Sequence, residues 1–403
     1  MRWLTFAFQN TLRNRRRSIV TIAVAALGTA AILLASGFAL STYQALEQAA
    51  ARSTGHLIVG LPEQFTKDED TPLQYGIENA TELAATLAAD PDVRHVLPRI
   101  AFSGLVSNGD KSTVMLATGV DPDHEFAVKG PFLKVISGDV LTSDAGNAEV
   151  MLGEGLAKSL KAKPGTGLTL LASTTDGALN ALDVTVKGVV STGVPDIDKR
   201  LVYTDIATAQ KLLNTKRVST LGVFLRSMQA TTGARERVAA ANPKLTVQTW
   251  LDQAFFYHSV RGLYNRIFGA LGLIIGVIVV FVVANAMAMA IIERTREIGT
   301  LRALGTLPAQ LLRTLAMEGM VLGGAGAMVG AMIALSVSLL LYAFPVQMPP
   351  PPGSSRGYAL VTAIDGPIYL MTVLAMIAVS MLASTWIARK TVHVPVVEAL
   401  AHT

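Results

Sequence analysis

Residues 19–40, 267–292, 319–344 and 368–387 contain no formally charged side chain. Crossing a bilayer core of about 30 Å takes roughly 20 mostly apolar residues of helix, and each run is long enough. In lipid the backbone N–H and C=O groups must be satisfied within the segment, so runs of this kind fold as helices. Only 16% of the 403 residues are charged, against about 25% in an ordinary soluble domain. The expected fold is a membrane protein with four transmembrane α-helices. Residues 41–266 then form a large extracytoplasmic domain inserted between the first and second spans, long enough to build its own core.

The charges that flank the runs set the orientation. Arg2, Arg13, Arg15, Arg16 and Arg17 precede the first run with no acid among them, and residues 293–318 carry four Arg against three Glu. The tail begins with Arg389 and Lys390, whereas residues 41–266 are balanced at 22 basic and 24 acidic side chains. Basic segments next to spans stay cytoplasmic. Both termini and the 293–318 connection are therefore expected in the cytoplasm, and the large insert outside. The net charge of +5 is then mostly a topology signal and implies no nucleic-acid partner. The first run has the basic start of a signal peptide but exceeds the usual apolar core of about 7–15 residues, so an uncleaved anchor is expected. There is no Cys, so the outer domain is stabilised without disulfides.

Within the insert, residues 56–60, 93–100, 112–120, 182–193 and 219–227 have strand character, with helices expected at 80–89, 205–213 and 231–241. Thr81 is a candidate cap for the first of these helices. Around 151–173 a strand, a helix, a Lys-Pro-Gly turn and a strand succeed one another. This pattern reads as mixed α and β, in two lobes of 53–137 and 138–248. Residues 250–266 are amphipathic and run into the second span without a breaker, as a stalk with Tyr257 and Tyr264 near the outer interface. Between the third and fourth spans, MPPPPGSSRGY favours polyproline II and a stiff outer loop.

Catalytic motifs are absent. GEGLAKS (153–159) is the nearest approach to a phosphate-binding loop, but Ala157 replaces the glycine that lets consecutive N–H groups turn inward. The six His are scattered without a zinc pattern, and Asp121/Asp123 and Asp196/Asp198 read as solvated turn residues. No catalytic, cofactor or metal site is expected in this chain. Gly272/Gly276, Gly319/Gly323 and Gly326/Gly330 have the spacing that lets helices approach closely in lipid. Packing within one subunit and a seam between two subunits both fit that spacing.

The remaining feature is ERTREIGTLRALGT (293–306), directly after the second run. Its residues form helix readily, with Ile298, Leu301 and Leu304 on one face. Gly305 suits the position after a helix end, and Thr306 and Pro308 suit the start of the next. An apolar face on a polar connection fits the membrane surface or a groove in a partner.

These residues resemble the signature of FtsX-like ABC transporter permeases. In that family a Glu-Arg-x-x-Glu-Ile-Gly-x-Leu-Arg-Ala-Leu-Gly helix precedes a Glu at the start of the third span. The matching positions are Glu293, Arg294, Glu297, Ile298, Gly299, Leu301, Arg302, Ala303, Leu304, Gly305 and Glu318. The ending VPVVEALAHT resembles the family's P-x-x-x-L tail, and residues 151–160 resemble part of a MacB-type periplasmic core. The resemblance implies three regions: an N-terminus and first span (1–42), a periplasmic MacB-like α+β domain with stalk (43–266), and an FtsX-like permease domain (267–403). It implies that 293–305 is a coupling helix docking onto a cytoplasmic ABC ATPase in two copies, which binds the ATP and Mg. With 18 residues ahead of the first span, that ATPase would be a separate chain. Glu297, Ile298, Leu301, Arg302 and Leu304 would form the interface, Glu293 and Arg294 would orient the helix, and Glu318 would be a functional intramembrane carboxylate.

A second permease, identical or homologous, is implied as well. So is a periplasmic adaptor, chaperone or hydrolase. The function implied is mechanotransmission from the ATPase through the second span to the outer domain, in the inner membrane, extruding or releasing an amphipathic substrate such as a lipoprotein, lipid, peptide or drug. The alternative within the family is a signalling scaffold that activates a cell-wall hydrolase, although such proteins usually carry a smaller outer domain.

Overall fold

The structure is a computed structural model that describes residues 15–143, 147–293, 300, 302–350, 354–355 and 357–392. Helix α1 (Arg15–Thr54) leads to β1 (Leu57–Gly60), α2 (Ala80–Ala88), β2 (Val93–Ser107), β3 (Ser112–Val120) and α3 (Pro122–Lys129). Next come β4 (Lys134–Gly138), β5 (Glu149–Gly153), α4 (Glu154–Leu160), β6 (Gly167–Ser173) and β7 (Leu179–Ser191). They are followed by β8 (Leu201–Asp205), α5 (Ile206–Leu213), β9 (Thr220–Leu225), α6 (Thr231–Ala241) and β10 (Thr246–Thr249). Three long helices end the order, α7 (Phe255–Glu293), α8 (Pro308–Ala343) and α9 (Gly366–Val392), with the short pair β11 (Val346–Met348) and β12 (Tyr358–Leu360) between the last two. Contacts group these elements into two units. One holds the chain up to Gln44, Ser259–Gln347 and the part from Ala359; the other holds Ala45–His258 and Met348–Tyr358.

The second unit is built on a ten-stranded sheet in the order β10-β1-β9-β2-β3-β8-β5-β7-β4, with β6 pairing β2 and β7. Strand β2 decides its shape. Its first half pairs antiparallel with β9, from Val93↔Leu225 to Arg99↔Thr220, and its second half pairs with β3, from Ile100↔Gly119 to Ser107↔Ser112. The expected division into lobes at 137/138 is therefore not what forms. The strands β3 to β8 are inserted between the two strands that pair at the start of β2, and Leu57, Ile100, Met115, Leu152, Leu170 and Leu212 belong to one continuous core. Local composition around Gly138 suggested a boundary, but pairing of β4 with β7 crosses it.

Helix ends follow local chemistry. Asp205 caps α5 by accepting from Thr208 N–H at 2.8 Å, and Asn214 closes it in the left-handed region at φ 51°. Asp121 caps α3 in the same way, accepting from Asp123 N–H at 3.0 Å. The expected cap Thr81 lies inside α2, whose N-cap position is Asn79. Asp198, expected in solvent, is 3% exposed and accepts from Ser191 Oγ, Thr192 N–H and Thr192 Oγ1 at 2.8–2.9 Å. It organises the turn after β7, against which Gly153 packs with no room for a side chain and Gly155 packs tightly. Those glycines thus have a packing role in GEGLAKS, and Lys158 pairs with Glu154 at 2.7 Å.

The stalk begins later than expected. A short helix, Trp250–Gln253, ends at Ala254, and α7 starts at Phe255. Tyr257 is no interfacial anchor: it is 3% exposed, stacks edge-on against Trp250 and donates to Glu47 Oε1 at 2.6 Å. Tyr264 instead joins an aromatic group with Phe38, Tyr43 and Phe268. Of the proline loop, residues 351–353 and 356 lie outside the described residues; Ser355 N–H donates to Gly193 O at 2.8 Å.

The other unit contains four helices long and apolar enough to cross a membrane, as the sequence led us to expect. Helix α8 is its centre. Gly319 and Gly323 lie against Ser384 and Ser380 of α9, and Gly326 and Gly330 lie against Ala25, Ala26 and Thr29 of α1. A methyl group at any of the four would collide with its neighbour. Such close backbone approach replaces the hydrophobic drive that is missing between helices in lipid. Two of the three small-residue pairs are therefore packing within the subunit. The third is different, since none of the described residues lies within 4 Å of a Cβ placed at Gly272 or Gly276 on α7.

Candidate functional site

The connection between α7 and α8 is the segment singled out by the sequence. Helix α7 is 39 residues long, about 58 Å at 1.5 Å per residue, nearly twice a bilayer core. It ends at Glu293, whose side chain is among those not described; Arg294, Glu297, Ile298, Gly299 and Leu301 lie outside the described residues altogether. Thr300, Arg302 and Ala303 are helical. Leu304 N–H donates to Thr300 O and Gly305 N–H to Arg302 O, each at 3.0 Å.

Gly305 has φ +95°. That is the left-handed region in which a residue with a Cβ is strained, so glycine terminates the helix there. Helix α8 then starts with Leu307 as N-cap and Pro308 in its first turn. The cap is not Thr306: the Gln310 side chain accepts from Leu307 N–H at 3.3 Å. A proline in the first turn sacrifices only a donor that the helix could not have used. The turn leaves two large apolar side chains in the open, Leu304 at 78% and Leu307 at 62% exposure.

Glu318 lies ten residues into α8 and is 5% exposed. It does not reach out to solvent, and it has an interaction partner. It shares a turn with Leu315, whose carbonyl accepts from Ser384 Oγ at 2.6 Å, and with Gly319. Arg302, Leu304 and Gly305 thus share one turn, while Glu318 belongs to the helix packing that follows.

One arrangement was not anticipated from the sequence. In the α+β unit, Glu125 is fully buried between Arg99 at 2.7 Å and Lys129 at 3.1 Å. Arg99 also donates to Ser53 O at the end of α1, and Lys129 donates to Tyr203 Oη at 2.6 Å. The Glu125/Lys129 spacing of four was a readable hint; Arg99 comes from another element and was not. Among the described residues no group of three or more His, Asp or Glu is placed to hold a metal ion.

Comparison with known proteins gives the family. Residues 18–241 match the MacB-like periplasmic core domain, and residues 269–396 match the FtsX-like permease C-terminal family. The chain is 26% identical to the lipoprotein-releasing system transmembrane protein LolE of Haemophilus influenzae over 66% of this chain and 67% of that one. It is 25% identical to LolC of Xylella fastidiosa over 63% of this chain and 62% of that one. The matched region thus spans about two thirds of these relatives. The periplasmic region of MacB from Actinobacillus actinomycetemcomitans aligns over 50% of this chain and 92% of its own at 20% identity, with a TM-score of 0.36. The chain belongs to the family of ABC transporter permeases that combine a MacB-like periplasmic core domain with an FtsX-like permease region.

Proposed function

We propose that this chain is the membrane subunit of a transporter that works by mechanotransmission. A separate cytoplasmic ATPase would dock on the 293–305 helix, and its ATP-driven closure would move α7 and, through it, the periplasmic domain. The observation that carries this reading is the continuity of α7, one unbroken helix from Phe255 to Glu293. A helix without a hinge passes displacement along its axis, and no substrate need cross between the spans. Leu304 and Leu307, exposed on a cytoplasmic turn, fit an apolar groove in the ATPase better than they fit water.

The lipoprotein-releasing names of the relatives support an amphipathic or lipidated substrate, released on the outer face of the inner membrane. The open Gly272/Gly276 face of α7 supports pairing with a second permease there. Because the chain has no Cys, a Leu304→Cys variant carries a single reactive thiol. A bifunctional cross-linker should join it to a cytoplasmic ABC ATPase in the native membrane, while Leu179→Cys in the periplasmic domain should give no such product. Equal yields at the two positions would exclude docking at Leu304.

A further inference from the structure

Where α8 begins and α9 ends, the two helices enclose an open groove of about 450 Å³. Arg313 and Arg389 line one end of it, and Met317, Met320 and Met381 line the remainder with Leu312. The order follows from antiparallel packing, since Ser384 contacts Leu315 and Gly319. That contact sets Arg389 beside the start of α8 and Met381 deeper along it. Among the described residues that line it, none is acidic. Arg313 lies five residues into α8, about 7–8 Å of helix, and Arg389 follows the last apolar run directly. Both arginines are thus at the depth of lipid headgroups, while the methionines are at the depth of the acyl chains.

We propose that this groove binds one anionic phospholipid, with the phosphate between Arg313 and Arg389 and an acyl chain along the three methionines. The charge pattern selects that occupant. Basic pockets between helices at a membrane surface suit anionic headgroups, guanidinium groups match phosphate in a forked geometry, and unbranched thioether side chains adapt to a flexible hydrocarbon. A polypeptide partner would not require the apolar half of the groove to run into the hydrocarbon layer. The site is independent of where the ATPase docks.

The test uses the full chain, purified in detergent, delipidated and titrated with phosphatidylglycerol, with phosphatidylcholine of the same acyl chains, or with inorganic phosphate. Native mass spectrometry reads the bound species. The expected result is one phosphatidylglycerol per chain, favoured at least tenfold over phosphatidylcholine, with no retention of phosphate alone. Arg313→Gln with Arg389→Gln should abolish the preference. Met320→Trp, which fills the groove and keeps both arginines, should lower occupancy at unchanged melting temperature. Equal retention of the two lipids, or a preference that survives the double substitution, overturns the proposal. So does a double variant that loses a co-purifying ATPase while keeping the lipid.

Discussion

In the α+β unit the interior is filled by Leu, Val, Ile and Met from a ten-stranded sheet and its helices, whereas α8 closes onto its neighbours through Gly319, Gly323, Gly326 and Gly330. The difference reflects the solvent. In water, burying apolar surface is itself favourable, at about 25 cal/mol per Å², and large side chains maximise it. In lipid the outside is as apolar as the inside, so what stabilises a helix pair is how closely the backbones approach. Glycine on α8 is therefore a core residue, although it contributes no side chain. On α7 the same residue type at Gly272 and Gly276 meets none of the described residues within 4 Å of a Cβ placed there.

The largest effect is expected in the α+β unit. Glu125→Ala would leave Arg99 and Lys129 buried without their shared carboxylate, and removing one partner of a buried pair typically costs about 3–5 kcal/mol. Thermal unfolding of the purified chain should show a large drop in melting temperature. A drop as small as that for an exposed pair, below about 1 kcal/mol, would mean that the cluster is open to water. A smaller but clear loss, about 1–3 kcal/mol for forcing volume into a packed contact, is expected for Gly323→Leu against Ser380. Gly272→Leu should leave the melting temperature of the subunit unchanged and reduce self-association in cross-linking. If the two glycine variants behaved alike, the contrast between α8 and α7 would fail.

The smallest effect is a pH dependence. Burial, and next the neighbouring Arg52, hold His56 below its usual 6.5, with its ring nitrogen accepting from Leu225 N–H at 3.2 Å. The unfolded chain then binds the proton more readily than the folded one. Stability is fully present above pH 6.5 and is lost as the pH falls toward the depressed value. His56→Gln should flatten that slope. Part of it will remain, because His95 is also held low, by burial and then by His124 and Arg94. An unchanged slope would mean that His56 does not contribute to the pH dependence.

Much of this was legible in the sequence where the signal is local. Charge-free runs identified the four spans, alternation located β3 residue for residue, and Gly305 announced a left-handed turn. What was not legible depends on partners distant in sequence. The lobe boundary failed because β2 is shared by both halves, and Tyr257 went from anchor to core because Trp250 and Glu47 enclose it. Asp198 resembled any turn aspartate until Ser191 and Thr192 were folded onto it. The glycine pairs had identical spacing, and only the neighbours distinguish Gly323 from Gly276.

The proposed function places the coupling of this permease to a separate ATPase in residues 293–305. The most direct test is to purify the tagged chain gently from its native membrane and identify stoichiometric partners by mass spectrometry, beside a Glu297→Lys, Leu301→Asp double variant. The expected result is a cytoplasmic ATPase with the unaltered chain and its loss from the variant, which should still reach the membrane with an unchanged melting temperature. An ATPase retained in full by the variant, or none with either chain, would contradict it.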